Sequence, residues 1–409
     1  MPRWALSFFL QIYCDIIFKK SGDSMEKENI KNLLEKKLKE FTFDYEDNDI
    51  SGVMNLLDTE EDMQKMYNFI VDNNITDTDD IYEYGFELCD DLEEIDGVEE
   101  GSKVVDGVLG HAVGDALGTP VQFKDRALFY SNPVKNMMRS YGENSAIWSD
   151  DTAMELATMD SFIDKKKWDY DDIMVNFGDW LNDGKYTAHG YAFDVGTTCL
   201  MAIKNYLYNG KEALKSGLTD IRDNGNGSLM RILPVALYCY YKDSTKDEIY
   251  ELTKNISSLT HGHEIAVLGC YIYVLFVINL LEDKDMYESY DLIKKEDYSR
   301  FSKESIDVYN RVLNKDIFDL SENDIKSSGY VVDSLEASLW CLLNTDNYKD
   351  ALLTAVNLGG DTDTIAAITG SMAGIIYGRD SIPQEWLDKM LKVDYLIELS
   401  EKFESAIIY

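Results

Sequence analysis

The sequence predicts an all-α protein, a bundle of ten or more helices. Three observations carry that prediction. No stretch alternates apolar and polar residues for long enough to be a half-buried strand. Nearly every apolar run recurs at helical spacing. Those runs open on Asp, Ser, Thr or Asn, whose side chains can satisfy the free N–H groups of a helix start. With 409 residues, 45% of them hydrophobic, the chain can build one large domain and a small one.

Residues 1–24 read as translated upstream sequence, with Met25 as the start. The apolar run from Trp4 to Cys14 is interrupted by Gln11, is too short to span a bilayer and lacks a small-residue cleavage site. Ser21-Gly22-Asp23 can be encoded by a purine-rich stretch resembling a bacterial ribosome-binding site. Residues 25–101 read as a small acidic helical module. Ile30, Leu33, Leu34 and Leu38 fall at helical spacing, as do Met63, Met66, Tyr67 and Ile70. Asp58 with Glu61 reads as the cap of its second helix, a third helix starts near Thr78, and 90–97 reads as the linker out. The module holds 25 acidic residues against 6 lysines, a net charge of −19, and no catalytic constellation. Its expected role is to meet a protein partner or to act as a solvated appendage.

The main domain is expected over 103–402. It opens with Gly110, Gly114 and Gly118, spaced by four, which give a helix a small-residue face on which another helix packs closely. The pattern is not a dinucleotide fingerprint, because no strand precedes it. Gly114-Asp115 reads as structural. Gly118-Thr119-Pro120 ends the helix and exposes Gln122 on a loop. Trp148-Ser149-Asp150-Asp151-Thr152 then opens an apolar helix, and a second amphipathic helix ends near Gly184. Asp194 stands in a loop leading into a helix, as an N-cap or as a substrate-facing carboxylate. Asn224 to Arg231 precedes an apolar helix expected from Ile232 to Tyr241. Its glycines and Ser228 suit a phosphate or a plain capped helix. His261 starts the very apolar run Ile265 to Leu281, read as a central helix, and could face a ligand or the core. Residues 282–328 read as an insertion with short helices, and a last helix is expected from Gln384.

The chemistry concentrates in Gly359-Gly360-Asp361-Thr362-Asp363-Thr364. Its two acids and two hydroxyls lie between apolar segments, where an unpaired charge is costly. A hard divalent cation would offset that cost, and helix capping is compatible with it. The Ser149-Asp150-Asp151-Thr152 cluster repeats this chemistry about two hundred residues earlier. Two such clusters, both opening apolar helices, suggest one site that holds a pair of metals.

Composition excludes other classes. A net charge of −37 argues against nucleic acid as a passive electrostatic partner, and suits a soluble cytoplasmic protein or one that meets a basic surface. None of the six cysteines forms a Cys-x-x-Cys pair, and Cys239, Cys270 and Cys341 read as buried free thiols. Four histidines are too few for a His-rich metal site. No membrane association is expected.

Taken together, Gly110–Gly118, Trp148–Thr152, Gly225–Arg231, Thr260–His263 and Gly359–Thr364 resemble the ADP-ribosylglycohydrolase family, that of dinitrogenase-reductase-activating glycohydrolase. The resemblance covers roughly 103–400. It implies an orthogonal all-α fold and two Mg2+ or Mn2+ ions, with Ser149, Asp150, Asp151, Asp361, Asp363 and Thr364 as ligands. It implies an ADP-ribose site at Gly225, Asn226, Gly227, Ser228 and Met230, with His261 near the diphosphate and Asp194 facing the distal ribose. The implied activity is hydrolysis of ADP-ribose from a modified protein side chain or small molecule. One departure stands out. Family members usually read Pro-x-Glu-Phe where this chain has Pro120-Val121-Gln122-Phe123. An amide accepts a hydrogen bond but cannot be a base. Either Asp150, Asp151 or Asp194 therefore moves the proton, or the protein is a weak catalyst. The alternative is an ADP-ribose-binding regulator or an immunity-type protein acting through its acidic module.

Overall fold

The structure, a computed structural model, describes residues 101–140 and 142–408 together with Leu34, Leu38, Met66 and Ile70. The chain divides into two compact units, Met1–Glu100 and Gly101–Tyr409. In the first, Leu34, Leu38, Met66 and Ile70 are helical and buried, each pair four residues apart on one helix face. The expectations for residues 1–24, the Asp58 cap, the helix from Thr78 and the 90–97 linker lie outside the described residues.

In the second unit the described residues form sixteen α-helices and six short 3₁₀ turns, with isolated bridges and no strands. Helix α1 (Lys103–Gly118) begins where the Ser102 hydroxyl accepts from the Val105 N–H and is buried along nearly its whole length. A short helix α2 (Ala127–Ser131) follows it. Helices α3 (Asp150–Lys165) and α4 (Tyr170–Asp183) follow as an antiparallel pair, each ended by a left-handed residue, Lys166 and Gly184. After α5 (Thr197–Leu207) come α6 (Leu233–Tyr241) and α7 (Lys246–Ser258), the latter opened by a Thr245–Glu248 capping box.

Helix α8 (Glu264–Leu281) is long and apolar enough to cross a membrane, but 83% of it is buried inside the molecule. It is the central helix that the sequence suggests. The short helices α9 (Met286–Lys295), α10 (Lys303–Val308) and α11 (Asn310–Asn314) build the polar segment after it. Helices α12 (Val331–Leu343), α13 (Tyr348–Asn357) and α14 (Thr362–Tyr377) then return to the core. One expectation is corrected. The helix from Gln384 is a single turn, α15 (Gln384–Leu387), and the closing helix is α16 (Val393–Ile408). Between them Leu391 donates to the Ala146 carbonyl and Lys392 turns to φ 53, so the chain must break before it resumes.

The centre of the fold is the antiparallel contact of α1 with α14. A Cβ on Gly110 would lie 2.3 Å from the Gly370 carbonyl oxygen, one on Gly114 2.0 Å from that of Ala366, and one on Gly118 2.4 Å from the Asp363 Cα. Backbone therefore touches backbone along three turns, an approach only glycine permits. The small-residue face predicted for α1 meets its partner here.

Candidate active site

Three helix ends converge. Thr362 Oγ1 donates to the Gly118 carbonyl at 2.9 Å, pinning the start of α14 against the end of α1. The buried Asp115 carboxylate on α1 in turn accepts from the Ser149 N–H at 2.9 Å, the Thr152 N–H at 3.1 Å and the Thr152 hydroxyl at 2.7 Å. Asp115 thus holds the start of α3, with a further bond from Thr119 at 3.2 Å. Its reading as structural acquires a definite meaning: α1 positions both acidic helix starts.

The two remote acidic clusters therefore meet. Asp150, Asp151, Asp361 and Asp363 are all buried, and Ser149 and Thr364 are buried beside them. Burial pushes Asp150, Asp151 and Asp363 well above the usual carboxylate range, and the neighbouring carboxylates push them further. Burial also raises Asp361, against the opposing bond from Asn226, and raises Asp115 to about 6. Asp194 repels Asp150, Asp361 and Asp363, so it faces the cluster. It is half-buried and sits at φ 53, while Gly196 occupies the N-cap of α5, where no side chain caps the helix. Of its two sequence readings, capping is thereby removed.

Asp361 occupies the N-cap position of α14, yet its side chain caps nothing. It accepts instead from Asn226 Nδ2 at 2.5 Å, and the same amide donates to Ser334 Oγ at 2.9 Å. Ser149 Oγ donates to Asp151 Oδ2 at 3.0 Å. Asp151 Oδ1 and both oxygens of Asp363 are buried without any hydrogen-bond partner, as is Gln122 Oε1. Buried carboxylate oxygens without donors need an external positive charge or a proton. Among the described residues no three Asp, Glu, His or Cys side chains stand as a preformed cage for an ion. The donor set that does assemble is all oxygen, carboxylates with hydroxyls, which fits a hard cation.

The Gly225–Arg231 loop is placed by its neighbours. The Asn226 N–H donates to the Gly329 carbonyl at 3.0 Å and the Met230 N–H to the Asn226 carbonyl at 3.0 Å. The expectation that the Ser228 hydroxyl is open to a phosphate is corrected. It is fully buried, accepts from Ser257 at 3.0 Å and lies 3.4 Å from Cys270 Sγ. Met230 is likewise buried in a 3₁₀ turn, so the loop does not start a helix directly. Gly225 and Gly227 border His261, the latter with room for no Cβ beyond 2.9 Å from its ring. His261 Nδ1 pairs with Thr260 Oγ1 at 2.8 Å, and that hydroxyl accepts from buried Arg231 at 2.7 Å. Burial and the Arg231 charge lower His261 to about 3, so its ring is neutral.

Sequence reasoning missed a second polar layer. His111 and Glu155 stand one helical turn beyond Asp115 and Asp151, 3.3 Å apart and buried. Burial, and then the charges of Asp151 and Asp115, raise Glu155, while burial lowers His111 to about 3. The spacing of four on each helix was the available signal. It also missed Arg126, which donates to the carbonyls of Leu358 at 2.7 Å, Ile325 at 2.7 Å and Glu322 at 2.5 Å, tying the Gln122 loop to the glycine turn.

The family model for ADP-ribosylglycohydrolase matches residues 97–408. The chain belongs to the ADP-ribosylglycohydrolase family. The enzyme class follows: hydrolysis of ADP-ribose conjugates. The ADP-ribosylarginine hydrolase Tri1 of Serratia proteamaculans is 31% identical over 310 residues, 74% of this chain and 79% of that protein. The ADP-ribosyl-[dinitrogen reductase] glycohydrolase of Rhodospirillum rubrum is 30% identical over 299 residues, 70% of this chain and 90% of that protein. A solved structure described as an ADP-ribosylglycohydrolase-related protein complex superposes with a TM-score of 0.61 at 24% identity, covering 74% of this chain and 97% of its own, and shows the shared fold. This ADP-ribosylglycohydrolase carries glutamine at position 122 among its site-loop residues.

Proposed function

We propose that the protein is a divalent-cation-dependent ADP-ribosylarginine hydrolase, cutting the glycosidic bond between the ribose and a modified arginine side chain. The observation that carries this reading is the meeting of Asp150, Asp151, Asp361, Asp363 and Asp194 around unpartnered oxygens of Asp151 and Asp363. The linkage is taken from the Serratia relative and from the Pseudomonas putida ADP-ribosylarginine hydrolase Tri1, also 31% identical.

Ser149, Asp150, Asp151, Asp361, Asp363 and Thr364 would hold two Mg2+ or Mn2+ ions, which would relieve the repulsion among these carboxylates. When bound, the pair supplies Lewis acidity toward water and the ribose hydroxyls. Asp194 faces the carboxylate cluster, which supports it as the group that takes a proton from the attacking water. The surrounding carboxylates stabilise the positive charge that grows on the ribose ring as the bond to the leaving group breaks. Gln122 orients the ribose through its free carbonyl but takes no proton. Gly225, Asn226 and Gly227 line the ADP-ribose side, and Ser228 and Met230, buried behind them, hold that loop in place. The neutral His261 ring, with Nδ1 turned to Thr260, offers Nε2 to the diphosphate.

The test is release of ADP-ribose from arginine- and serine-linked peptides with Mg2+ or Mn2+. The arginine conjugate turns over, and Asp361→Ala loses on the order of 10²–10⁴-fold in kcat/KM. Gln122 favours a second reading, a binder without turnover. Tight ADP-ribose binding with no release from any conjugate, restored to turnover by Gln122→Glu, would establish it.

A further inference from the structure

Asp361 is flanked on one side by Asn226 of the Gly225 loop and on the other by the turn that joins Gly360 to the Gln122 loop. A conjugate whose ribose sits at the carboxylates has two halves, and they must leave in different directions. The Gly225 side is already assigned to ADP-ribose. An open cleft of about 640 Å³ reaches Asp361, lined by Phe123, Arg126, Lys326, Ser328 and Asp333 on the side of the Gln122 loop, and by Gly329 where it meets Asn226.

Resting on the functional reading above, we propose that this cleft seats the guanidinium of the modified arginine, with Phe123 as its stacking face and Asp333 as its carboxylate partner.

Phe123 is the unusual residue. It is 70% exposed and held at φ 61, a backbone region that a bulky L-residue avoids. It is also rigid. Its N–H donates to the Gly360 carbonyl at 2.6 Å, and the Gly360 N–H returns to the Lys124 carbonyl at 2.8 Å. Two residues on, Arg126 clamps the loop to Leu358 and Ile325. The fold thus holds an aromatic ring in water beside Asp361 in a strained conformation, with no packing gain to explain it. Strain of this kind at a cleft points to a ligand.

The charges choose the ligand. The Arg126 guanidinium is spent on the backbone carbonyls of Leu358, Glu322 and Ile325, so it is not offered to an anion. Lys326 is the other basic residue on the lining, and it is exposed. Asp333 accepts from the Ser328 hydroxyl at 2.6 Å and from no other side chain among the described residues, and Asp361 lines the same cleft. A diphosphate would meet the Asp333 carboxylate here, which is not among the residues that would hold metal. A guanidinium is planar, stacks on an aromatic face and forks onto a carboxylate, so it matches both residues.

The experiment compares wild type, Phe123→Ala, Phe123→Leu and Asp333→Asn on arginine- and serine-linked ADP-ribosyl peptides, with the affinity for free ADP-ribose measured by calorimetry. Phe123→Leu keeps the bulk and removes the ring face. Each substitution is expected to lower kcat/KM for the arginine conjugate about tenfold more than for the serine conjugate, with ADP-ribose affinity unchanged. Equal losses on the two conjugates, or a parallel loss of ADP-ribose affinity, would overturn the proposal and give the cleft to the nucleotide half. Wild-type kinetics in all variants would overturn it as well. Failure of the wild type to act on either conjugate overturns the functional reading and this one with it, whereas turnover by wild type with unaffected variants overturns this one alone.

Discussion

Replacing Gly114 by alanine tests whether the backbone contact of α1 with α14 brings the carboxylates together. The new Cβ would stand 2.0 Å from the Ala366 carbonyl oxygen and 2.8 Å from the Ala367 nitrogen. Ordinary contact begins near 3.4 Å, so the helices must part locally by about 1.4 Å, the difference from 2.0 Å. Neither obstacle is a side chain that can rotate away. Overpacking of this kind costs roughly 1–3 kcal/mol, so the protein should still fold. The catalytic loss should be larger. Asp363 lies near the same seam, and a displacement of about 1 Å in a reacting constellation costs on the order of 10²-fold. The assay is kcat/KM on an arginine-linked peptide across a Mg2+ titration, with a thermal melt of each variant. Gly107→Ala on the same helix is the control, since its Cβ would meet only the side chains of Ile375 and Leu233, at 3.2 Å or more. That variant should melt and turn over like wild type. A Gly114→Ala enzyme with kcat/KM and Mg2+ dependence within about twofold of wild type would refute the argument, because the predicted loss is on the order of 10²-fold.

Three further outcomes are expected. Asp115→Ala strands the buried Ser149 and Thr152 N–H groups, at roughly 1–3 kcal/mol each before relaxation; melting should fall by several degrees and activity more steeply, while Asp115→Asn, which keeps one acceptor, falls less. Without metal, the raised carboxyls of Asp150, Asp151, Asp361 and Asp363 bind more protons in the folded than in the unfolded state. Stability of the metal-free protein should therefore fall as pH rises from about 4 through their elevated range, and the gain in Tm on adding Mg2+ should be larger at pH 8 than at pH 5; an equal gain at both contradicts this. Arg231→Met removes the donors to Thr260, Gly227 and Ile256 while keeping bulk against Phe177. KM should rise about tenfold with a smaller change in kcat, since the loop and His261 lose their anchor but the carboxylates do not.

Much of this molecule was legible in order along the chain. Helical spacing and capping residues gave the all-α class, the end of α4 near Gly184, and the buried α8. The small-residue face of Gly110, Gly114 and Gly118 announced a close helix partner, and the two acidic helix starts announced one shared site. The failures have a common physical form. Ser228 looked open to a ligand because a hydroxyl beside two glycines is ambiguous, and only its neighbours Ser257 and Cys270 decide that it faces inward. The helix expected from Gln384 stopped after one turn because Leu391 is claimed by the Ala146 carbonyl, a bond 245 residues away in sequence (391 less 146).

By itself, then, the sequence determined which helices form and which oxygen-bearing residues open them, because spacing and capping are local properties of a chain. Only the tertiary structure decided that α14 is the partner of α1, that Asp115 is the post on which α3 is hung, and that Phe123 is held in water beside Asp361. Those outcomes depend on contacts between residues tens to hundreds apart. Their energies are set by which groups are left without water and without a partner, and no local pattern records that.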